Sequence, residues 1–583
     1  MKMFCKAMAV VLAAGMLLSM AACGSGSATR STGTPASQSS AAPASSETAA
    51  PGSQEPASGK VPAAFPLVTE PATISVFANN DDGVDLSKNW FTEVYEELTG
   101  VTIEWRMTNS DQYIEKLNLM LAGGDEVDII STGNKKLEKV QVYKYGTQGV
   151  LLPINSFFDK YESFYYNNVL SQDDVWRENV TAPNGDIYGF NDVGSCFHCN
   201  HPYKMWVNQK WMDNLGIKNP TTPDEFADML RRFRDEDANG NGDPNDEVPM
   251  STCTVKTGAS SNLEIYLMNA FQYANYAAKL LYVEDGKAVV SYTTEDWKKG
   301  LEYMNMLYSE GLIDTEAYIQ DRTTMKNRNE SGDVRVFGAV PAQHTGVLTT
   351  TGTTESWKEY IALPPLTGPD GLCTTTNSSL LNYDNFRTMI SGTSKNPELA
   401  FRLCDGLYES EELGLMAGYG QEGVAWEWAA DGEMGKDGLQ ARYTQLVVGN
   451  LPETDPYYKN YRWGSMFTGF PNNHSKWTSG QSIDDPLDTY YERYLYLNTE
   501  PYAAVKRDAE GTMPSFFFSE DDNAEIARLQ TDQMNYVDEM TAAFITGIRS
   551  LDTEWEPYLK ELDNLGLNRY LEIYQQYLDA YNA

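Results

Sequence analysis

The chain has 583 residues, with 82 Asp and Glu against 44 Lys and Arg, giving a formal charge of -38. That balance argues against a nucleic-acid partner, because phosphate recognition rests on clustered Lys and Arg that release counterions. Aromatic residues make up 12% of the chain, including 36 Tyr and 12 Trp, so core material is ample; the same residues offer apolar faces with polar edges, which suit carbohydrate as well as packing.

At the start, Lys2 and Lys6 precede an apolar run from Ala7 to Met20 that ends in Met20-Ala21-Ala22-Cys23. This reads as a secretory signal peptide over 1–22, since the run falls short of the roughly 20 residues that span a bilayer. Small residues just before a cysteine resemble the lipobox of bacterial lipoproteins, with Met20 in the place where Leu is usual. The resemblance implies lipid on Cys23 and a protein tethered to the extracytoplasmic face of the cell membrane. Gly24 to Gly59 is almost entirely Ser, Ala, Thr, Gly, Pro and Gln. Such a composition cannot bury enough apolar surface to offset the entropy of ordering, so 23–64 is expected to be a lipidated cysteine and a flexible stalk.

Periodic apolar sequence begins near Phe65. Thr73 to Phe77 alternates and predicts a strand, Phe91 to Leu98 a helix ended by Thr99-Gly100, and Val101 to Trp105 a second strand. Asp111 to Ala122 carries apolar residues at helical spacing up to Gly123-Gly124, and Val127 to Ile130 predicts a short buried strand. Strands alternating with helices imply an α/β fold with a mainly parallel sheet. Ligands of such sheets sit beyond the carboxyl ends of the strands, which singles out Asn79-Asn80-Asp81 and Thr132-Gly133-Asn134.

Cys5 and Cys23 aside, the cysteines are Cys196, Cys199, Cys253, Cys373 and Cys404, too few and scattered for a disulfide framework. Cys196-Phe197-His198-Cys199, with His201 close behind, can be two unreactive thiols or a local disulfide. Zinc is the weaker reading, because a second ligand pair is missing from the sequence.

Thr222-Pro223-Asp224-Glu225 predicts a helix start, with a capping threonine, a first-turn proline and a glutamate placed to close a capping box. Phe226, Met229, Leu230 and Phe233 follow at i, i+3, i+4 and i+7, an amphipathic helix. Directly after it comes Asp237-Ala238-Asn239-Gly240-Asn241-Gly242-Asp243-Pro244-Asn245-Asp246-Glu247. Alternate oxygen donors around a sharp glycine turn can wrap one hard cation, and calcium accepts such irregular all-oxygen geometry. The spacing begins like an EF-hand, but Val248 stands where the bidentate Glu would fall, and Glu247 comes one residue early. The alternative is a polar turn that binds nothing. Near the chain end Trp555, Tyr558, Leu559 and Leu562, then Tyr570, Leu571, Tyr574, Tyr577 and Leu578, predict two helices either side of Gly566.

Taken in order, several short motifs resemble an extracellular solute-binding protein of family 1, in the subgroup with alginate- and oligosaccharide-binding members. They include Gly149-Val150-Leu151-Leu152-Pro153-Ile154, Gly185-Asp186-Ile187-Tyr188-Gly189-Phe190, Leu307-Tyr308-Ser309-Glu310-Gly311-Leu312-Ile313-Asp314 and Tyr419-Gly420-Gln421-Glu422-Gly423. The resemblance implies a two-lobed periplasmic-binding-protein fold, type II-like, with a ligand cleft between the lobes and extra C-terminal helices. By analogy lobe 1 takes 65–193 and 357–400, and lobe 2 takes 194–356 and 401–583. It also implies a structural calcium held by Asp237, Asn239, Asn241, Asp243, Asp246 and Glu247. The partners implied are an oligosaccharide and the permease subunits of an ABC importer, with the protein itself a monomer and not an enzyme.

Sugars are held by aromatic faces and by polar groups that take the hydroxyls. Candidates are Asn80, Asp81 and Asn134 by the strand-end rule, Tyr188 and Trp206 near the lobe crossing, and Glu422, Trp426 and Trp463 later in the chain. Arg462 is placed to meet a uronate carboxylate. Two rivals stand beside this reading. A secreted carbohydrate-active enzyme would need a carboxylate pair roughly 5 to 9.5 Å apart; neither GxSxG nor HExxH occurs, and there are only 4 His. A receptor for peptide or another solute would use the same fold to feed a membrane sensor.

Overall fold

The computed structural model describes residues 60–582, apart from 81–83, 110–111, 134, 136, 192–196, 255–261, 352–354, 379–385, 436–438, 448–450, 465–481, 483–490 and 509–510. The signal segment, Cys23 and the stalk as far as residue 59 therefore lie outside the described residues. Among the described helices none is long and apolar enough to cross a membrane.

The first sheet starts as its sequence predicts. β1 (Ala72–Asn80) runs parallel to β2 (Val101–Asn109) and to β3 (Ile129–Ser131). Between β1 and β2 the helix Trp90–Thr99 is capped by Asn89, whose Oδ1 accepts from Phe91 N at 3.0 Å. It ends at Gly100, which takes the left-handed φ of 74° that a Cβ would disfavour. Gly124 ends the helix Tyr113–Gly123 in the same way. β4 (Phe190–Asn191) closes the far edge of this sheet.

A second sheet is built from β5 (Lys204–Asn208), β6 (Val248–Met250) and, after the hairpin β7 (Leu281–Glu284) and β8 (Lys287–Val290), from β9 (Phe337–Ala342) and β10 (Tyr360–Leu363). Its order is β10-β5-β9-β6, with β5 antiparallel to both neighbours. The chain then returns to the first sheet as β11 (Phe386–Ile390), antiparallel to β3 and β4, giving the order β2-β1-β3-β11-β4. A small ladder of β12 (Trp426–Trp428) and β13 (Tyr443–Gln445) follows.

Each sheet has its own core. Ile74, Val76, Phe91, Ile130, Phe190, Ile390, Phe401 and Leu413 belong to lobe 1, and Trp206, Trp211, Phe226, Leu230, Trp297, Val340 and Tyr360 to lobe 2. The lobe 2 core extends into the C-terminal helices Glu520–Ile545, Leu551–Asn564 and Leu567–Tyr581. The molecule is thus an α/β protein of two lobes with extra C-terminal helices.

The lobe boundaries differ from those read by analogy. Tyr360–Leu363 is a strand of the lobe 2 sheet, and Trp357 is buried against Tyr491 and Tyr494 at 5.0 and 5.1 Å. The return to lobe 1 therefore comes at Phe386, not Trp357. Lobe 1 also continues beyond 400, because Leu403, Leu407, Leu413, Ala417 and Trp463 are part of its core. A strand's alternation shows that one face is buried but not which sheet receives it, so the register of β10 against β5 could not be read locally.

Candidate functional site

The chain passes from the lobe 1 sheet to the lobe 2 sheet between β4 and β5, returns between β10 and β11, and leaves again between Trp463 of the lobe 1 core and Leu495 of the lobe 2 core. On the lobe 2 side these crossings end next to one another. Ser378 N donates to Asn200 O at 3.0 Å, joining the second crossing to the first. His198 Nε2 lies 3.9 Å from the Glu492 carboxylate, joining the first to the third. This junction, called the floor below, is the candidate site.

The floor combines flat rings with polar heads. Phe197 stacks on Tyr496 with centroids 4.6 Å apart, and the Arg493 guanidinium lies 5.5 Å over Tyr496. The His198 and His344 rings meet edge to face at 6.3 Å. Tyr491 OH accepts from Thr345 Oγ1 at 3.2 Å and from Gly346 N at 3.1 Å. Phe197, His198, His344, Tyr491, Glu492, Arg493 and Tyr496 are all half-buried. Such a surface offers ring faces, donors and acceptors together, which is the chemistry a hydroxyl-rich solute needs. Sequence reading missed these residues because they come from segments hundreds of positions apart; the only local signal was the run of tyrosines after residue 490.

Behind the floor sits Lys204, fully buried on β5. Its Nζ donates to His198 O at 2.9 Å and to His201 O at 2.6 Å, closing the turn that carries Phe197 and His198. Burial pushes its ammonium down to about 7. His201 Nδ1 lies 2.9 Å from Thr376 O. A carbonyl only accepts, so Nδ1 carries the hydrogen. Burial pushes His201 down to about 4 and His344 likewise to about 4, which leaves both imidazoles neutral at pH 7. Cys199 is disulfide-bonded, with its partner outside the described residues, while Cys253, Cys373 and Cys404 are not in disulfides.

On the lobe 1 side, Asn79 Nδ2 donates to Thr132 O at 3.1 Å and Arg387 Nη1 to Gly133 O at 2.9 Å. These bonds tie the ends of β1, β3 and β11 together. Asn80 closes β1, but its side chain, with Asp81 and Asn134, lies outside the described residues.

The remaining candidates are placed differently. Tyr188 is buried in the lobe 1 core; its OH donates to Asp186 Oδ2 at 2.9 Å, and its ring lies so close to Gly146 that a Cβ there would come within 2.3 Å. Trp206 is buried on β5 with Nε1 donating to Ala342 O at 2.9 Å. Trp426 donates to Gly420 O at 2.8 Å, and Trp463 donates to Thr92 Oγ1 at 2.7 Å while Phe91, Tyr95 and Trp105 meet it edge-on at 4.8, 5.5 and 5.5 Å. Packing accounts for all four rings. Glu422 is exposed on the turn before β12, and Arg462 lies 5.0 Å over Tyr461.

The acidic loop lies apart from the floor, after the helix Pro223–Asp235. Asn239 Nδ2 and Asn241 Nδ2 donate to the two Asp246 oxygens at 2.7 and 2.6 Å, and Gly242 N donates to Asp237 Oδ2 at 3.0 Å. Asn239 Oδ1 accepts from Asn241 N, and Asn241 Oδ1 from Asp243 N, at 2.9 and 2.8 Å. Asp237 Oδ1 and Glu247 Oε2 are buried and accept no hydrogen bond among the described residues. Desolvation raises Glu247 above the ordinary carboxylate range. Among the described residues no three His, Cys, Asp or Glu side chains gather as a metal cluster. The loop's donor set is of another kind, carboxylates supplemented by amide and main-chain oxygens. Two orphaned buried carboxylate oxygens fit a hard cation, which asks for oxygen ligands in variable geometry.

The chain is similar to the fructooligosaccharide ABC transporter substrate-binding protein FusA of Streptococcus pneumoniae serotype 4, 27% identical over 504 residues, or 84% of this chain and 86% of FusA. A solved structure of FusA with kestose aligns at 25% identity with a TM-score of 0.65, covering 88% of this chain and 99% of that one. One of a FusA EF-hand mutant with fructo-nystose aligns at 24% and 0.63 over the same shares. An extracellular solute-binding protein from Bifidobacterium longum subsp. infantis shares the fold at 21% identity and a TM-score of 0.69, over 91% of this chain and 100% of that one. The family model of bacterial extracellular solute-binding proteins matches residues 78–412, more than half of the chain, and the protein belongs to that family.

Proposed function

We propose that this protein is the tethered capture component of an ABC importer: it takes an oligosaccharide between its lobes and hands it, chemically unchanged, to permease subunits in the membrane. The observation that carries the reading is the floor of ring faces and polar heads where the three crossings meet, in a chain that aligns with FusA over most of its length. His344 meets the floor as a neutral imidazole, beside the charged heads of Glu492 and Arg493. A thermal-shift series with neutral and acidic oligosaccharides on the chain from Phe65 tests it. A sugar at about 100 times its dissociation constant should stabilise the folded state by roughly 2.7 kcal/mol. Shifts only with peptides would favour a receptor of another kind.

Asp237, Asn239, Asn241, Asp243, Asp246 and Glu247 would hold a calcium ion. When bound, the ion supplies charge compensation for the loop's carboxylates and no chemistry on the solute. Its proposed role is to fix the loop that leads from the helix Pro223–Asp235 into β6. Cys23 would carry the lipid that anchors the stalk; mass spectrometry of membrane-extracted protein should find a diacylglyceryl cysteine, and Cys23→Ser should release the protein from the membrane.

A further inference from the structure

We infer that Phe517 is the pivot between the lobes, a positioning residue carried by lobe 2 and seated in lobe 1 where the second crossing enters. In the segment before the helix Glu520–Ile545 three successive rings divide between the two cores. Phe516 and Phe518 turn to lobe 2, 5.7 Å apart, against Tyr574 and Tyr577. Phe517, between them, is buried in the lobe 1 core.

Its neighbours there are particular. Phe386, the first residue of β11, meets the Phe517 ring edge-on at 6.1 Å, and Tyr143 does so at 6.1 Å from the other lobe 1 helix face. Lys139 Nζ stands 5.1 Å over the same ring and donates to Ser515 O at 2.9 Å. Lys144 pairs with Glu520 just beyond. Lys139 and Tyr143 belong to the helix Lys139–Thr147, which follows the loop after β3. Leu137, at the end of that loop, bridges Phe386. One ring from lobe 2 therefore touches both the root of the second crossing and the helix that follows the β3 loop.

Hinges use a few residues at the ends of elements. A buried aromatic contact on the hinge line moves least when the lobes rotate, whereas the same contact far from it would have to break. Phe517 thus adds a non-covalent tie to the three chain crossings and sets where the β3 loop stands relative to the floor.

The test pairs two equal deletions, Phe517→Ala and Phe516→Ala, in the full chain carrying Cys23→Ala so that it stays free of lipid. Small-angle X-ray scattering without any sugar is read first. Phe517→Ala is expected to enlarge the radius of gyration, and Phe516→Ala to lower the melting temperature without enlarging it. Kestose, used as the probe, should bind Phe517→Ala about tenfold more weakly, because the closing-competent arrangement is less populated. Phe517→Leu should restore both readouts, and it carries the test if Phe517→Ala does not fold: its radius should match the parent's while Lys139→Met enlarges it. An unchanged radius in Phe517→Ala, or the same change in Phe516→Ala, overturns the proposal. The affinity arm rests on the capture reading, but the scattering arm does not, so a protein that ignores kestose still decides the pivot.

Discussion

Trp463 illustrates how a residue type can be legible while its task is not. A tryptophan beside an arginine reads equally well as a sugar platform and as packing, because both uses need the same flat apolar face. In the fold its indole N–H is spent on Thr92 and three aromatic rings surround it. Trp463→Ala should therefore cost about 3 to 5 kcal/mol of stability, measured by denaturant unfolding, as for other buried large-to-small changes. A change below about 1 kcal/mol would contradict the packing assignment. The buried histidines make a second prediction. His201 and His344 titrate at about 4 in the fold against about 6.5 when unfolded, so the unfolded chain binds more protons in that window. Their contribution is present above about pH 6.5 and is lost as pH falls towards 4. Asp405, held up at about 6 by burial, works in the opposite direction and offsets part of the loss. Parent protein should lose stability between pH 6.5 and 4.5, and His201→Gln should flatten that slope by about 2 kcal/mol over the window. Equal slopes would mean that His201 is not held neutral.

Among the elements, the helix Pro223–Asp235 was readable because cap, proline and apolar stripe agree. Thr222 Oγ1 accepts from Glu225 N at 3.3 Å as expected. The reciprocal half of the box is displaced by one residue: Glu225 accepts from Thr221 N at 2.8 Å and from Thr221 Oγ1 at 2.7 Å. With two adjacent threonines, spacing alone cannot decide which one the glutamate serves. The 26-residue helix Glu520–Ile545 carries only a faint stripe, so periodicity did not announce it; its Ser519 cap and acidic first turn are the signals that were there to be read. For the acidic loop the prediction is thermodynamic. A chelator should lower the melting temperature, with calcium at about 100 times its dissociation constant worth roughly 2.7 kcal/mol, and Asp237→Ala should abolish the chelator's effect. Identical melting curves with and without chelator would leave the loop a polar turn.

At the scale of the molecule, the early alternation of strands and helices announced the first sheet but not how the chain divides between lobes. β11, which arrives from lobe 2, runs antiparallel to both its neighbours in that sheet. Nothing in its five residues, all of them buried, records that origin. The same holds for the candidate site, assembled from residues near 197, 344 and 491 that only the fold brings together. The strand-end rule points to residues of which Asn79 and Thr132 are buried and bonded to each other, whereas the aromatic candidates chosen by residue type lie in the cores. The central claim, capture of an intact oligosaccharide, is tested most directly by titrating fructooligosaccharides such as kestose, then other neutral and acidic oligosaccharides, into the chain from Phe65 in a calorimeter and recovering the sugar afterwards. One oligosaccharide class should bind saturably, one molecule per chain, and be recovered at its original length. A sugar recovered shortened would make the protein an enzyme, and the absence of heat with every oligosaccharide would contradict the account.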